Sequence, residues 1–252
     1  MSQPWEIYDA LLDGLPDDVV VRTAGQGPRW SRVLNSAGGV GTAWTMDVRS
    51  RPALNDGPLE GRPLRDVGAL AKSWNLAEAS IGQAAINSWY SCEQTAADNG
   101  FEPTGEGLTW RQVFDPYREM IVGKRVAVIG HFPFAEAALA GAGEYICLER
   151  NLQPGDWPDS ACEYVLPECD LVFISSSSFV NKTAPRLIEL SRQAHTVLVG
   201  PSTPLNPVLL DYGVDTITGF VAASSLSDPA SLAEMIPAGD IGPGFRVHRH
   251  RA

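Results

Sequence analysis

Hydrophobic spacing changes character near residue 123. Before it, Trp5 to Leu12 follow helical spacing and run into Gly14 and Pro16, a helix stop. Three short β-prone runs come next: DVVVRTAG (18–25), WSRVLNS (30–36) and VGTAWTMDV (40–48). Gly25, Gly27 and Pro28 separate the first two, and Gly38, Gly39 and Gly41 punctuate the second gap, so a three-stranded meander is expected. LRDVGALAKSW (64–74) and LAEASIGQAAINSWY (76–90) return to helical spacing, with Asn75 as the break. The polar, Gly-rich stretch 99–110 reads as a linker.

After Gly123 the pattern alternates. KRVAVIG, EYICLE, CDLVFIS, HTVLVG and DTITGFVA are near-continuous apolar strands. FAEAALAGA, TAPRLIELSRQA and PLNPVLLDYG between them read as helices. Such strands separated by helices indicate a parallel sheet covered on both faces. The expected fold class is therefore α/β: a small α+β domain at 1–122, a Rossmann-like parallel-sheet domain at 123–245, and a basic tail at 246–252.

An open parallel sheet binds ligands beyond the carboxyl ends of its strands. That rule selects GHFPF, LERN, SSSSFVNKT and GPSTPLNP. The first turn opens like a dinucleotide site at Gly130. It then supplies His131, Phe132, Pro133 and Phe134 where phosphate-binding glycines belong. Glu149 ends the second strand, where an acid holds a ribose hydroxyl in dinucleotide sites; a solvated acid at a strand end fits equally. The serine run offers hydroxyls and amides to an anion, or simple capping before the helix at Thr183. Pro201, Pro204 and Pro207 stiffen the fourth loop and fix Ser202 and Thr203, for a ligand or for a sharp connection. His131 is a candidate metal ligand or proton carrier, and a packed side chain otherwise. His248 and His250 form an H-x-H pair, a poor preformed metal site if the terminus is loose.

The chain is 252 residues long, 44% apolar and 19% charged, with a net charge of −11. The acidic balance argues against a nucleic-acid partner. No apolar run reaches the ~18 residues of a membrane span, and the acidic N-terminus lacks the basic start of a secretory leader. Cys92, Cys147, Cys162 and Cys169 are dispersed with no C-x-x-C, which suggests reduced thiols and a cytoplasmic location. Walker, H-E-x-x-H and G-x-S-x-G motifs are absent.

Taken in order, GVGTAWT, LAEASIGQAAINSWY, VAVIGHFP, LERNLQPGDWP, CDLVFISSSSFVN and VLVGPSTPLNPVLLDYGVDTITGFV resemble the "putative heavy-metal chelation" family over nearly the whole chain. The resemblance implies an enolase-N-terminal-like first domain, a Rossmann-like second domain and a site in the cleft between them. The positions it carries over are Gly39, Gly41, Thr42 and Asn87 from the first domain, then Gly130, His131, Glu149, Ser177, Asn181, Gly200, Pro201, Ser202 and Thr203. The four serines at 175–178 depart from the family loop, which tends to carry Thr and Gly. The first reading is a protein that binds a divalent transition metal or metal chelate, with His131, Glu149 and a cysteine as ligands. The second is an enzyme or sensor that takes a nucleotide-like metabolite in the same cleft. The third is a non-catalytic accessory protein. A small molecule or metal ion is the partner each active reading implies, and a homo-oligomer is compatible with all three.

Overall fold

The computed structural model describes residues 3–104 and 110–251. Residues 105–109 of the stretch read as a linker lie outside the described residues. In chain order the strands are β1 (Val21–Gln26), β2 (Trp30–Asn35), β3 (Val40–Trp44), β4 (Glu102–Pro103), β5 (Arg125–Ile129), β6 (Glu144–Glu149), β7 (Trp157–Pro158), β8 (Leu171–Ser175), β9 (His195–Val199), β10 (Thr216–Ala222) and β11 (Gly244–His250). The helices are α1 (Glu6–Asp13), α2 (Leu64–Gly68), α3 (Leu76–Tyr90), α4 (Glu93–Asp98), α5 (Ala135–Ala138), α6 (Cys162–Val165), α7 (Ala184–Leu190), α8 (Val208–Asp211) and α9 (Pro229–Ala238).

The glycine-punctuated runs form an antiparallel sheet in the order β1-β2-β3. The five apolar runs, with β4, β7 and β11 added at the edges, form an eight-stranded sheet in the order β4-β11-β10-β9-β8-β5-β6-β7. From β10 to β7 all pairings are parallel. The reversal of strand order between β5 and β8 makes their carboxyl ends the switch point of the sheet. This is a mixed α/β fold with a mainly parallel central sheet and a separate small antiparallel one.

Residues 244–250 correct the expected tail. They form β11, antiparallel to β10 along its full length. Phe245 and Val247 alternate there with Arg246, His248 and His250 at the period of two of a strand, and β4 adds outside it. FAEAALAGA also falls short of the expected helix. Only the single turn α5 forms after Pro133.

Both faces of the large sheet are covered. Val126, Val128, Phe173, Val197 and Val199 lie under Phe114 and Tyr117 of the 3-10 segment Trp110–Tyr117. Ala127, Ile146, Leu148, Val172, Ile174 and Leu198 pack in one cluster with Tyr8, Leu11, Ala84 and Ile86 of the N-terminal half. Asn75 caps α3 by accepting from the Glu78 N–H at 3.2 Å. The Tyr8 hydroxyl donates to the Phe179 carbonyl at 2.7 Å across the two halves. In the return direction, α9 packs on the small sheet, where the buried Arg32 guanidinium donates to the Met235 and Asp240 carbonyls.

Two histidines make stability depend on pH. Burial lowers the pKa of His195 and His248, and the neighbouring His250 lowers both further. Above about pH 6.5, folded and unfolded chains both hold neutral imidazoles. Below it the unfolded chain takes up protons that the folded chain refuses, so stability falls with pH. Thermal melts in chelator are expected to show the midpoint declining from about pH 6.5 toward 5.5. A His195→Gln/His248→Gln chain should lose most of that slope while keeping the carboxylate-driven acid transition at lower pH. An unchanged slope would show that neither imidazole carries it.

Candidate metal centre

The turn after β5 is built around Gly130, whose φ of +101 lies in the region that favours glycine. A Cβ there would stand 3.0 Å from the Ser175 Cβ and 3.6 Å from the Phe132 ring. The chain turns toward β6. The His131 N–H donates to Glu149 Oε2 at 2.8 Å, while Glu149 Oε1 accepts from the N–H groups of Arg150 (2.7 Å) and Asn151 (2.9 Å). Phe132 and Phe134 pack against the buried Phe114 with ring centroids 6.0 Å away, forming an apolar wall behind the turn.

Cys147 pairs with Val128 in the parallel register and lies on the side of β6 opposite Ile146 and Leu148. The loop after Glu149 returns to pair Trp157 with Leu148. That return brings Asp156 against His131, with the Gln153 N–H donating to Asp156 Oδ2 at 2.9 Å. Both Asp156 oxygens lie 3.1 Å from His131 Nδ1, and Cys147 Sγ lies 4.0 Å from the same nitrogen. Among the described residues, His131, Cys147 and Asp156 are the one group of three or more His, Cys, Asp or Glu side chains with ligand atoms all within 4.8 Å of one another. The Asp156 side chain is 4% exposed and that of His131 26%, so the cluster is sheltered with an opening at the imidazole.

Electrostatics sort the roles. Burial, then the hydrogen bond and charge of Asp156, push the Cys147 thiol up to about 12. Burial would raise the Asp156 carboxyl as well, but the Gln153 N–H, the Cys147 thiol and the His131 ring together hold it below the ordinary carboxylate range. A catalytic cysteine needs a lowered pKa and a base between it and the orienting acid. Here the acid and the thiol converge on one ring nitrogen. That geometry suits three donors sharing an ion rather than a proton relay.

The positions expected from sequence divide into three groups. His131 stands in the cluster, beside Gly130. Glu149, expected as the second metal ligand, instead spends its carboxylate on three backbone amides, and Cys147 and Asp156 stand with His131. Ser177 and Asn181 lie beyond β8: Ser175 Oγ and Ser177 Oγ are 2.9 Å apart, and Asn181 Oδ1 accepts from the Thr183 N–H and hydroxyl. The remainder gather where β3 and α3 meet the loop after β9. The Trp44 N–H donates to Ser202 Oγ (2.8 Å), Gln83 donates to the Ser202 carbonyl (3.3 Å), and Asn87 donates to the Thr42 carbonyl (2.8 Å). The Thr203 hydroxyl bonds the Gly200 carbonyl across Pro201. Thr42, Asn87, Ser202 and Thr203 are buried in this junction. Gly39 and Gly41 face the α3 backbone, since a Cβ on either would lie about 2 Å from a carbonyl of that helix.

Sequence reading named a cysteine among the ligands without placing it and passed over Asp156. LERNLQPGDWP carries its aspartate back beside the strand only through the two-residue pairing of β7 with β6, which leaves little sequence signal.

Family models described as "Putative heavy-metal chelation" match residues 8–90 and 112–246. A protein of unknown function from the DUF364 family of Desulfitobacterium hafniense DCB-2 is similar at 36% identity and a TM-score of 0.85, with 98% of each chain covered. A second, from Pyrococcus horikoshii, shares the fold at a TM-score of 0.79 and 21% identity, over 98% of this chain and 99% of that one. No curated protein matches the chain. No helix among the described residues is long and apolar enough to cross a membrane. The chain belongs to the family whose two segments carry the description "Putative heavy-metal chelation".

Proposed function

We propose that the protein binds a divalent transition-metal ion through His131 Nδ1, Cys147 Sγ and an Asp156 oxygen. The observation that carries this reading is the convergence of thiol and carboxylate on one imidazole nitrogen. Donors bonded to one ion at ~2.0–2.3 Å stand roughly 3–4 Å apart, the range of these separations. A thiolate, an imidazole and a carboxylate together favour borderline and soft ions over Mg2+ or Ca2+, whose preferred ligands are all oxygen. The thiol must lose its proton to ligate, so uptake of the ion releases about one proton. A nucleotide-like ligand finds less support, because both Glu149 oxygens are engaged and the first turn lacks phosphate glycines.

Competition of the tag-free chain with a chromophoric chelator for Zn2+ or Cd2+ tests the reading. Tight binding that fails to discriminate against Mg2+, or Cd2+ binding that survives loss of both His131 and Cys147, would sink it.

Glu149 has a positioning role. Its carboxylate ties the turn carrying His131 to the start of the loop carrying Asp156. Glu149→Gln keeps the shape but sets an amide donor against backbone donors. The expected result is a folded chain whose Zn2+ affinity falls roughly 10–100-fold, the usual cost of losing a group that orients a ligand. The cobalt complex should keep its thiolate absorption. Unchanged affinity would make Glu149 a loop cap with no bearing on the ion.

A further inference from the structure

The strand β11 removes the objection to its H-x-H pair. His248 and His250 sit on a hydrogen-bonded strand, where residues two apart share a face. His250 pairs with Thr216 of β10, and His248 with Thr218. Thr216 pairs with Val197 of β9, and His195 lies two residues before Val197 on that same face. Three of the chain's four histidines therefore meet on one face of three adjacent strands.

Two of them bring a nitrogen to one oxygen, while His248 Nδ1 lies 3.4 Å from Thr104 Oγ1. Thr216 Oγ1 lies 2.9 Å from His250 Nδ1 and 3.4 Å from His195 Nε2. The His248 and His250 rings are 4.9 Å apart. The two separations from Thr216 Oγ1 fall in the range of neighbouring donors around a common ion. His250 is exposed, which gives an ion access, while His195 and His248 are half-buried. Asp215 and Glu102 add negative charge nearby; Arg246 and Arg251 oppose it, although Arg251 is paired with Asp215 at 3.3 Å. The Tyr117 ring packs on His195 at 6.0 Å and its hydroxyl also reaches Thr216.

We propose that His195, His250 and the Thr216 hydroxyl form a second site for a divalent transition metal, with His248 beside it as a further imidazole donor. Nitrogen donors without sulfur direct this site toward Ni2+, Cu2+ or Zn2+. It shares no residue with the His131 cluster, so each site stands or falls separately.

The test is Ni2+ calorimetry on tag-free full-length chain at pH 7.5. A His131→Gln/Cys147→Ser background removes the first cluster and is expected to retain one equivalent of bound Ni2+. Adding His250→Gln, at an exposed position, should weaken that equivalent at least tenfold, and His195→Gln should do the same. In the parent chain, sub-stoichiometric Ni2+ should broaden the ring proton signals of His195, His248 and His250. This readout does not depend on any variant folding. The proposal is overturned if the background binds no Ni2+, if neither added substitution weakens binding, or if those three rings stay sharp. In that event Thr216 is only the hub of a satisfied hydrogen-bond network.

Discussion

Cys147→Ser is expected to weaken Cd2+ and Zn2+ binding at the His131 cluster by more than the roughly 100-fold that loss of an orienting partner costs. The thiolate is the one soft donor in the set, and it supplies a negative charge inside a sheltered corner. Serine is close to isosteric and weakly acidic, so it leaves a neutral hydroxyl where the ion requires an anion. The loss should be graded by softness: Cd2+ suffers most, Zn2+ less, and Mn2+ least. Co2+ in the parent chain should show thiolate charge-transfer absorption that is absent from the variant. Folding should survive, because the side chain contributes little volume and its sulfur makes only weak contacts, such as that to the Gly130 carbonyl at 3.9 Å. Equal Cd2+ affinity in parent and variant, with both chains folded, would remove Cys147 from the site and leave His131 and Asp156 as an ordinary ion pair.

The central strands β5, β6, β8, β9 and β10 were legible because both faces of the sheet are buried there, which writes them as continuous apolar runs. The helix α3 was legible through its Asn75 cap. The candidate metal corner was only half legible. His131 announces itself by replacing a phosphate glycine, whereas Cys147 looks like any small apolar residue inside a strand. Asp156 becomes a neighbour of His131 only when β7 returns to the sheet edge, a pairing two residues long that carries almost no periodic signal. β11 was hidden because arginines and histidines occupy its alternate positions, so composition suggested a tail where the period of two indicated a strand.

Gly41→Ala is expected to destabilise the fold severely while sparing the His131 cluster. A Cβ at position 41 would stand 1.9 Å from the Ala84 carbonyl oxygen and 2.2 Å from the Ser88 nitrogen, both backbone atoms of α3. No side-chain rotation relieves such a clash, so β3 and α3 would have to separate by more than 1 Å, the gap between 1.9 Å and the 3.0 Å floor of real Cβ contacts. Gly82 closes the other side of the helix in the same way, with a Cβ there 2.0 Å from the Ala71 nitrogen, so α3 has nowhere to retreat. Overpacking on this scale costs about 3 kcal/mol or more, roughly 6–12 °C of melting temperature for a chain of this size. Gly38→Ala is the internal control: its φ is +88 but its Cβ meets nothing within 4 Å, so only backbone strain of about 1–2 kcal/mol applies. The family resemblance implies a different role for Gly41, as a ligand-binding position in the cleft between the two domains. Zn2+ titration of the fraction of Gly41→Ala that stays folded separates the two. Affinity equal to the parent's would make the glycine a packing device between strand and helix. Loss of binding from folded protein would draw the junction of β3, α3 and the Ser202 loop into the site.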